Sequence, residues 1–230
     1  MRALIAGASR GLGLALSRLA AENGHTAYAG ARGEFSPALL EAAARLPGIR
    51  LLALDVTDEG AARAAAEKVA GDGGGALDAV IVAAGVLPES DRRLPATEAD
   101  IGDLREALDV NVAGSAIVAK HFHPLLRDGG ALILVSSEAG SMTRVGAGYP
   151  SYSISKSAQN KLAAVLAKTI PRLRVYAVHP GRMNTDMGRE HAQIEPEEAA
   201  LGIWRIASGE LAAPPENGWF IDYRGEAMAI

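Results

Sequence analysis

The chain has no cysteine among its 230 residues. This absence excludes disulfide scaffolds, cysteine nucleophiles, thiolate zinc sites and iron–sulfur clusters. Aromatic residues are also scarce, at 4%, whereas 49% of the residues are hydrophobic and 26 are glycine. A chain of this length buries about 70% of its extended-chain surface on folding, enough for a core without cross-links. We therefore predict a single domain spanning residues 1–230.

The chain also lacks an excess of positive charge, and it has no long apolar run. The 27 acidic and 23 basic residues give a formal charge of −4, so nucleic acid is not an expected partner. The first apolar run, Ala3–Ala6, is shorter than the core of a signal peptide. No apolar segment approaches the roughly 20 residues that cross a bilayer. The sequence predicts a cytoplasmic protein with no membrane partner.

Short apolar runs alternate with longer helical segments along nearly the whole chain. The predicted strands are Arg2–Ala6, Thr26–Gly30, Arg50–Leu54, Ala79–Ala83, Ala131–Ser136, Arg174–His179 and Trp219–Asp222. The predicted helices are Leu12–Asn23, Pro37–Arg45, Glu59–Ala70, Glu98–Leu126, Ser151–Lys168 and Pro196–Ala207. The strands lack polar alternation, which is typical of a sheet covered on both faces. The pattern predicts an α/β fold: one doubly wound Rossmann-type domain with a mostly parallel seven-stranded sheet between two helical layers.

A glycine-rich turn joins the first predicted strand to the first helix. Small residues let the backbone approach a pyrophosphate, and the amides and dipole at a helix N-terminus attract its charge. The alternative is a tight turn that merely needs positive φ. Its place at the first strand-to-helix junction favours dinucleotide binding. The predicted cofactor contacts in this turn are Gly7, Ser9, Arg10, Gly11, Leu12 and Gly13.

The residues after the second predicted strand favour NADP(H) over NAD(H). An acid at this position would bind the ribose 2′-hydroxyl of NAD, but the chain has Ala31 and Arg32 here. The guanidinium groups of Arg32 and Arg10 suit a 2′-phosphate. The alternative is that both arginines are ordinary surface residues, so NAD(H) stays open as a cofactor.

Asp55 and Val56 follow the third predicted strand, at the sheet edge where this fold binds its ligand. Asp55 could accept a hydrogen bond from the adenine amino group. Alternatively it caps the next helix, although Thr57 and Asp58 are nearer to that helix.

Tyr152 and Lys156 lie four residues apart on a predicted helix and therefore share a face. Ser137 follows the fifth predicted strand, on the side where substrates bind. Reduction of a carbonyl needs a proton donor, and a nearby ammonium lowers the pKa of a phenol toward neutrality. An amphipathic helix face and a turn-stabilising serine are the structural alternatives.

Seven motifs along the chain, and the order in which they occur, resemble those of the short-chain dehydrogenase/reductase family. They are Gly7-x3-Gly11-x-Gly13, Asp55, Ala83-Ala84-Gly85, Asn111, Ser137, Tyr152-x3-Lys156 and Pro180-Gly181-x3-Thr185. The match covers essentially the whole chain. The stretch after Pro180-Gly181 and the C-terminal segment Gly218–Gly225 are similar to the small C-factor-type and sniffer-like carbonyl reductases.

The resemblance implies a role for each matching residue. Tyr152 would be the general acid/base, and Lys156 would bind the nicotinamide ribose and depress the tyrosine pKa. Ser137 would orient the substrate oxygen, and Asn111 would hold a water in a proton relay. Thr185 would bond the nicotinamide carboxamide. The remaining expected cofactor contacts are Ala83, Ala84, Gly85, Asn111, Tyr152, Lys156, Pro180 and Gly181.

Three departures from the family pattern are visible. Ala6 stands where a threonine is frequent, and Val82-Ala83 replaces an Asn-Asn pair. The Ser137–Tyr152 interval is a residue or two longer than usual, so Ser136 is a rival for the serine role. His121 and His123 do not face together on a helix, so no metal site is expected.

The expected substrate is a small carbonyl or alcohol compound in an open pocket. Its predicted lining is Val86–Thr97, Glu138–Pro150 and Met187–Ile194. Many members of the family assemble through the helices that correspond to Glu98–Leu126 and Ser151–Lys168, and others are monomers, so the resemblance favours a homodimer and leaves a monomer open. The rival function is a dinucleotide-binding regulatory or signalling protein whose role is not turnover. The presence of Tyr152, Lys156, Ser137 and Asn111 favours the enzyme.

Overall fold

The computed structural model describes residues 1–188, 192–212 and 219–230. The strands are β1 Arg2–Ala6, β2 Thr26–Ala31, β3 Ile49–Ala53, β4 Leu77–Val82, β5 Leu126–Val135, β6 Arg174–His179 and β7 Phe220–Asp222. The α-helices are α1 Gly11–Glu22, α2 Pro37–Arg45, α3 Glu59–Gly71, α4 Ile101–Leu108, α5 Gly114–Phe122, α6 Pro150–Thr169 and α7 Pro196–Ser208.

The seven strands form one sheet in the order β3-β2-β1-β4-β5-β6-β7, and every neighbouring pair is parallel. The order reverses at β1, which is the switch point of a doubly wound fold. The predicted fold class is therefore confirmed.

Apolar side chains cover both faces of the sheet. Ile5 joins a buried cluster with residues of α1, α2 and α7, whereas its neighbour Leu4 joins a second cluster with residues of α3, α5 and α6. Successive residues of a strand point to opposite faces, so a strand buried on both sides has no polar alternation. This is why the strands were recognisable as continuous apolar runs.

The single helix predicted over Glu98–Leu126 is wrong, since this segment is divided. Asp100 caps α4 by accepting hydrogen bonds from the amides of Gly102 and Asp103, so the helix begins at Ile101. A π-helical segment, Asp109–Ala113, separates α4 from α5. Pro124 lies in the short turn that follows α5.

Strand β5 is the other large difference, because it begins at Leu126 rather than Ala131. Leu126 pairs with Leu77 of β4, but the polar Arg127-Asp128 and the two glycines that follow hide this pairing in the sequence. The remaining boundaries lie within two residues of the predictions.

The register places the carboxyl ends of the central strands at one edge. Ala6 of β1 pairs with Val82 of β4, and Val135 of β5 pairs with Val178 of β6. The loops that follow these strands therefore converge beside the start of α1 and of α6. No helix in the described part of the chain has the length and apolarity needed to cross a membrane.

Candidate active site

The glycine turn between β1 and α1 leaves no room for a side chain at two of its glycines. Gly7 has a φ of 93°, and a methyl group on it would lie 2.5 Å from the Ala84 nitrogen. A methyl group on Gly13 would lie 2.1 Å from the Gly7 oxygen. No side chain of the described residues caps α1, so its first amides are available to a ligand. This arrangement fits the pyrophosphate of a dinucleotide.

Asp55 lies beyond the end of β3 and forms a local turn. Its Oδ1 accepts hydrogen bonds from the amide and hydroxyl of Thr57, at 2.9 and 2.7 Å. These bonds hold the pKa of Asp55 below its ordinary value, and the charge of Arg32 adds to the effect. Asp58 caps α3 instead, so the capping alternative for Asp55 is wrong. Asp55 therefore lies charged near Arg32.

Arg10 spans one side of the cleft. Its Nη1 lies 2.9 Å from Asp186 Oδ2, in the loop after β6, and the two side chains are 79% and 78% exposed. An ion pair this exposed contributes little stability. A phosphate group can therefore compete with Asp186 for the Arg10 guanidinium.

The loop after β6 faces the glycine turn. A methyl group on Gly11 would lie 3.3 Å from Thr185 Cγ2, so these two predicted cofactor contacts are neighbours. Gly181 has a φ of 82°, and Ile194 packs against it. Residues 189–191, within the predicted lining Met187–Ile194, and Gly218 lie outside the described residues.

Half-buried Tyr152 and buried Lys156 lie together at the N-terminal end of α6. Lys156 Nζ is 5.5 Å from the centre of the Tyr152 ring and donates to the Val135 oxygen and to Gln159 Oε1, both at 2.8 Å. Burial raises the pKa of Tyr152 to about 12, and a hydrogen bond with Ser137 opposes this rise. Burial lowers the pKa of Lys156 to about 7. The phenol is therefore protonated at neutral pH and able to donate.

The two candidate serines differ in their contacts. Ser136 donates to Asn160 Oδ1 at 2.5 Å, in a buried structural bond. Ser137 forms the hydrogen bond with Tyr152 and accepts from the Ala139 amide at 3.1 Å. The geometry favours Ser137 over Ser136 for a role beside Tyr152.

Asn111 is fully buried in the π-helical segment. Such segments are frequent at functional sites. Its Oδ1 accepts from the Val86 amide at 2.8 Å, and its Nδ2 donates to the Val86 oxygen and to Ser155 Oγ, at 3.0 and 2.9 Å. Gly85 separates it from the lysine: a methyl group there would lie 3.2 Å from Asn111 Oδ1 and 3.6 Å from Lys156 Nζ.

The sequence analysis did not predict the chain of hydrogen bonds that connects Lys156 to Asn111. Gln159, which accepts from Lys156, donates to Ser115 Oγ at 2.8 Å, and the Ser115 hydroxyl donates to the main-chain oxygen of Asn111 at 2.7 Å. One signal was present, namely polar residues at helical spacing on a face of α6 that packs on the sheet. These residues are Tyr152, Ser155, Lys156 and Gln159.

A cleft of about 1020 Å³ joins the glycine turn to the tyrosine. The predicted residues that line it are Arg10, Gly11, Leu12, Gly13, Ala83, Gly85, Ser137, Tyr152, Lys156, Pro180, Gly181 and Thr185. Within the described chain, the predicted residues outside its wall are Gly7, Ser9, Arg32, Asp55, Val56, Ala84 and Asn111. Asn111 is buried behind the wall, and Arg32 is exposed and directly follows the end of β2.

The histidines near the start of β5 do not assemble a metal site. His121 Nε2 lies 3.1 Å from Glu59 Oε1, and burial lowers the pKa of His123. Across residues 1–188, 192–212 and 219–230, no group of three potential metal ligands is present.

The parallel sheet, the glycine turn and the Tyr152–Lys156 pair in the cleft define a Rossmann-type oxidoreductase. Residues 1–196 match the short chain dehydrogenase family. The chain belongs to that family and is an enzyme of the short-chain dehydrogenase/reductase class. The family that the sequence motifs indicated is therefore confirmed.

Individual relatives agree with this assignment. Cis-4-hydroxycyclohexanecarboxylate dehydrogenase of Sinomonas cyclohexanicum is 31% identical over 222 residues, covering 93% of this chain and 84% of that protein. The carbonyl reductase Sniffer of D. melanogaster has a TM-score of 0.88 and 26% identity, covering 100% of this chain and 99% of the other. A Pseudomonas aeruginosa PAO1 carbonyl reductase in complex with NADP has a TM-score of 0.84 and 27% identity, covering 100% of both chains.

Proposed function

We propose that residues 1–230 act as one domain that transfers a hydride between NADP(H) and the carbonyl or alcohol carbon of a small substrate. The observation that carries this proposal is the position of Tyr152 beside Lys156 and Ser137 at the wall of the cleft. The NADP-bound carbonyl reductase of P. aeruginosa supports the choice of chemistry.

Residues of this chain would hold the dinucleotide along the cleft. The glycine turn would bind the pyrophosphate, Asp55 and Val56 the adenine, and Arg10 and Arg32 the 2′-phosphate. Lys156, Asn111, Pro180, Gly181 and Thr185 would hold the nicotinamide end. When bound, the reduced nicotinamide supplies a hydride to the carbonyl carbon.

Tyr152 completes the reduction by donating its proton to the substrate oxygen. When hydride adds to the carbonyl carbon, the electron pair of the C=O π bond moves to the oxygen. The oxygen takes the Tyr152 proton to form the O–H bond, and the tyrosine is left as a phenolate, which the Lys156 ammonium stabilises. The Ser137 hydroxyl donates a hydrogen bond to the same oxygen and holds it in line. In alcohol oxidation the phenolate accepts the proton.

The cleft wall supports a small apolar carbonyl substrate. Met142 and Val145 are 68% and 75% exposed, and both line the cleft with Met187. Exposed apolar side chains gathered at one site favour contact with an apolar ligand. We propose aldehydes, ketones and diketones of modest size as substrates.

A turnover assay tests the proposal. The purified protein is titrated with NADPH and NADH by fluorescence, and nicotinamide absorbance is then followed with a panel of small aldehydes, ketones and diketones. We expect NADPH binding with turnover of several panel members. Tight binding without turnover would favour the regulatory alternative, and binding of neither nucleotide would contradict the proposal.

Arg32→Ala is expected to weaken NADPH binding about tenfold to a hundredfold while leaving NADH binding unchanged. A hydrogen bond to a charged group is worth about 1.5–3 kcal/mol, and each 1.4 kcal/mol is about tenfold in affinity. Arg10→Ala is expected to weaken NADPH binding as well, because its exposed ion pair with Asp186 is weak enough for a phosphate to displace. Arg63→Ala, on the exposed face of α3, is the control. An equal loss of NADH binding would contradict the phosphate assignment.

The pH dependence is expected to differ between the two directions. Since burial raises the pKa of Tyr152 to about 12, the phenol is already protonated at neutral pH, and carbonyl reduction does not rise from pH 7 to 9. Alcohol oxidation needs the phenolate, whose fraction grows about tenfold per pH unit below the pKa. Its kcat/KM should rise across the same range, by less than tenfold per pH unit, because Lys156, whose pKa burial lowers to about 7, loses the charge that stabilises the phenolate. Oxidation independent of pH would contradict Tyr152 as the base.

A further inference from the structure

The N-terminus of α6 is capped from a distant part of the chain. Tyr149, the residue before the helix, has a left-handed φ of 57° and makes no capping hydrogen bond. Asp91 accepts hydrogen bonds from the amides of Tyr152 and Ser151, at 2.7 and 3.3 Å. Asp91 is only 3% exposed. The backbone of the proposed acid/base is therefore held by a buried carboxylate 61 positions away.

The neighbours of Asp91 bind two other elements that border the site. The short helical turn Ser90–Arg92 lies in the loop after β4. The Ser90 hydroxyl donates to Asp103 of α4, and Arg92 Nη2 donates to the Met187 oxygen at 2.8 Å. The three consecutive residues Ser90–Arg92 thus connect α4, the start of α6 and the loop in which Met187 lines the cleft.

We propose that Asp91 is a positioning residue for Tyr152. This inference rests on the proposed function. The carboxylate binds at the positive end of the α6 dipole, where charge-assisted hydrogen bonds are strong. One of those bonds is to the Tyr152 amide itself, so Asp91 fixes the phenol relative to the cleft wall that Arg92 holds. A displacement of about 1 Å at a reacting group can cost a hundredfold in rate.

The test compares Asp91→Ala and Asp91→Asn with Asp58→Ala in the full chain. Asp58 caps α3 by accepting the Ala61 amide at 3.0 Å, so its removal also costs a helix cap but leaves α6 untouched. NADPH titration gives the number of cofactor-binding sites. The kcat per site and the KM for a panel aldehyde are then measured.

We expect Asp91→Ala to lower kcat per site about tenfold to a hundredfold. The KM and the NADPH dissociation constant should change little, because the cleft wall and glycine turn are intact. Asp91→Asn keeps one oxygen acceptor and should partly restore kcat, to within about tenfold of the wild type. Asp58→Ala should keep the wild-type kcat. A purely stabilising role would not separate kcat from KM in this way.

Two results would overturn the inference. One is a wild-type kcat per site in Asp91→Ala, and the other is a loss confined to KM or NADPH binding. If Asp91→Ala yields no folded protein, Asp91→Asn decides: a lowered kcat per site supports the inference, and an unchanged one overturns it. A wild-type protein without turnover contradicts the proposed function and the inference together, whereas a normal kcat in the variants contradicts the inference alone.

Discussion

Tyr152→Phe is expected to lower kcat for carbonyl reduction about a hundredfold to ten-thousandfold, the usual contribution of a positioned acid or base. The substitution removes one hydroxyl and keeps the aromatic ring beside Lys156 Nζ. The glycine turn and the loop after β6 are not altered, so NADPH affinity should stay within a few-fold of the wild type. Stopped-flow or steady-state loss of nicotinamide absorbance measures the rate, and fluorescence titration measures binding.

Tyr176→Phe is the matched control for this change. Tyr176 lies half-buried in β6 and is absent from the cleft lining in the described chain. Its variant should keep wild-type kcat. If Tyr152→Phe also keeps wild-type kcat, Tyr152 is not the proton donor, whatever the fate of cofactor binding.

Lys156→Met is expected to lower kcat about a hundredfold, as the loss of one preorganised stabilising group does. The ammonium that would stabilise the Tyr152 phenolate is removed, and Gln159 Oε1 and the Val135 oxygen lose their donor. We also expect weaker NADPH binding, because the same ammonium is proposed to hold the nicotinamide ribose. The rate per folded molecule is measured, with circular dichroism to count folded protein.

Lys161→Met controls for the loss of a lysine from the same helix. Lys161 lies on the exposed side of α6, whereas Lys156 is 3% exposed. The control should keep wild-type rate and binding. A Lys156→Met enzyme with both quantities unchanged would contradict the proposed role of the ammonium.

Local pattern was sufficient to predict most of the fold. Strands β1 and β6 lie at their predicted bounds, because each is a short apolar run covered on both faces. The glycine turn was also recognisable, since three glycines at one strand-to-helix junction have a specific steric use. The break between α4 and α5 could not be recognised from the sequence, because a π-helical insertion keeps the apolar and polar composition of a continuous helix.

The site was predictable only where its members are close in sequence or match a family motif. Tyr152 and Lys156 share a helix, so their spacing alone predicts that they meet. The bond between Gln159 and Ser115 joins residues 44 positions apart, and that between Asp91 and Tyr152 joins residues 61 apart. Such contacts depend on how loops converge at the sheet edge, which periodicity does not specify.

Transfer of deuterium from NADPH to product tests the central claim most directly. NADPH carrying deuterium at the transferable position of its nicotinamide is incubated with the protein and an aldehyde from the panel, and the alcohol is analysed by mass spectrometry. We predict one deuterium on the carbinol carbon, and far slower formation of that product with Tyr152→Phe. An alcohol without the label, or no alcohol despite saturating NADPH binding, would contradict hydride transfer by this enzyme.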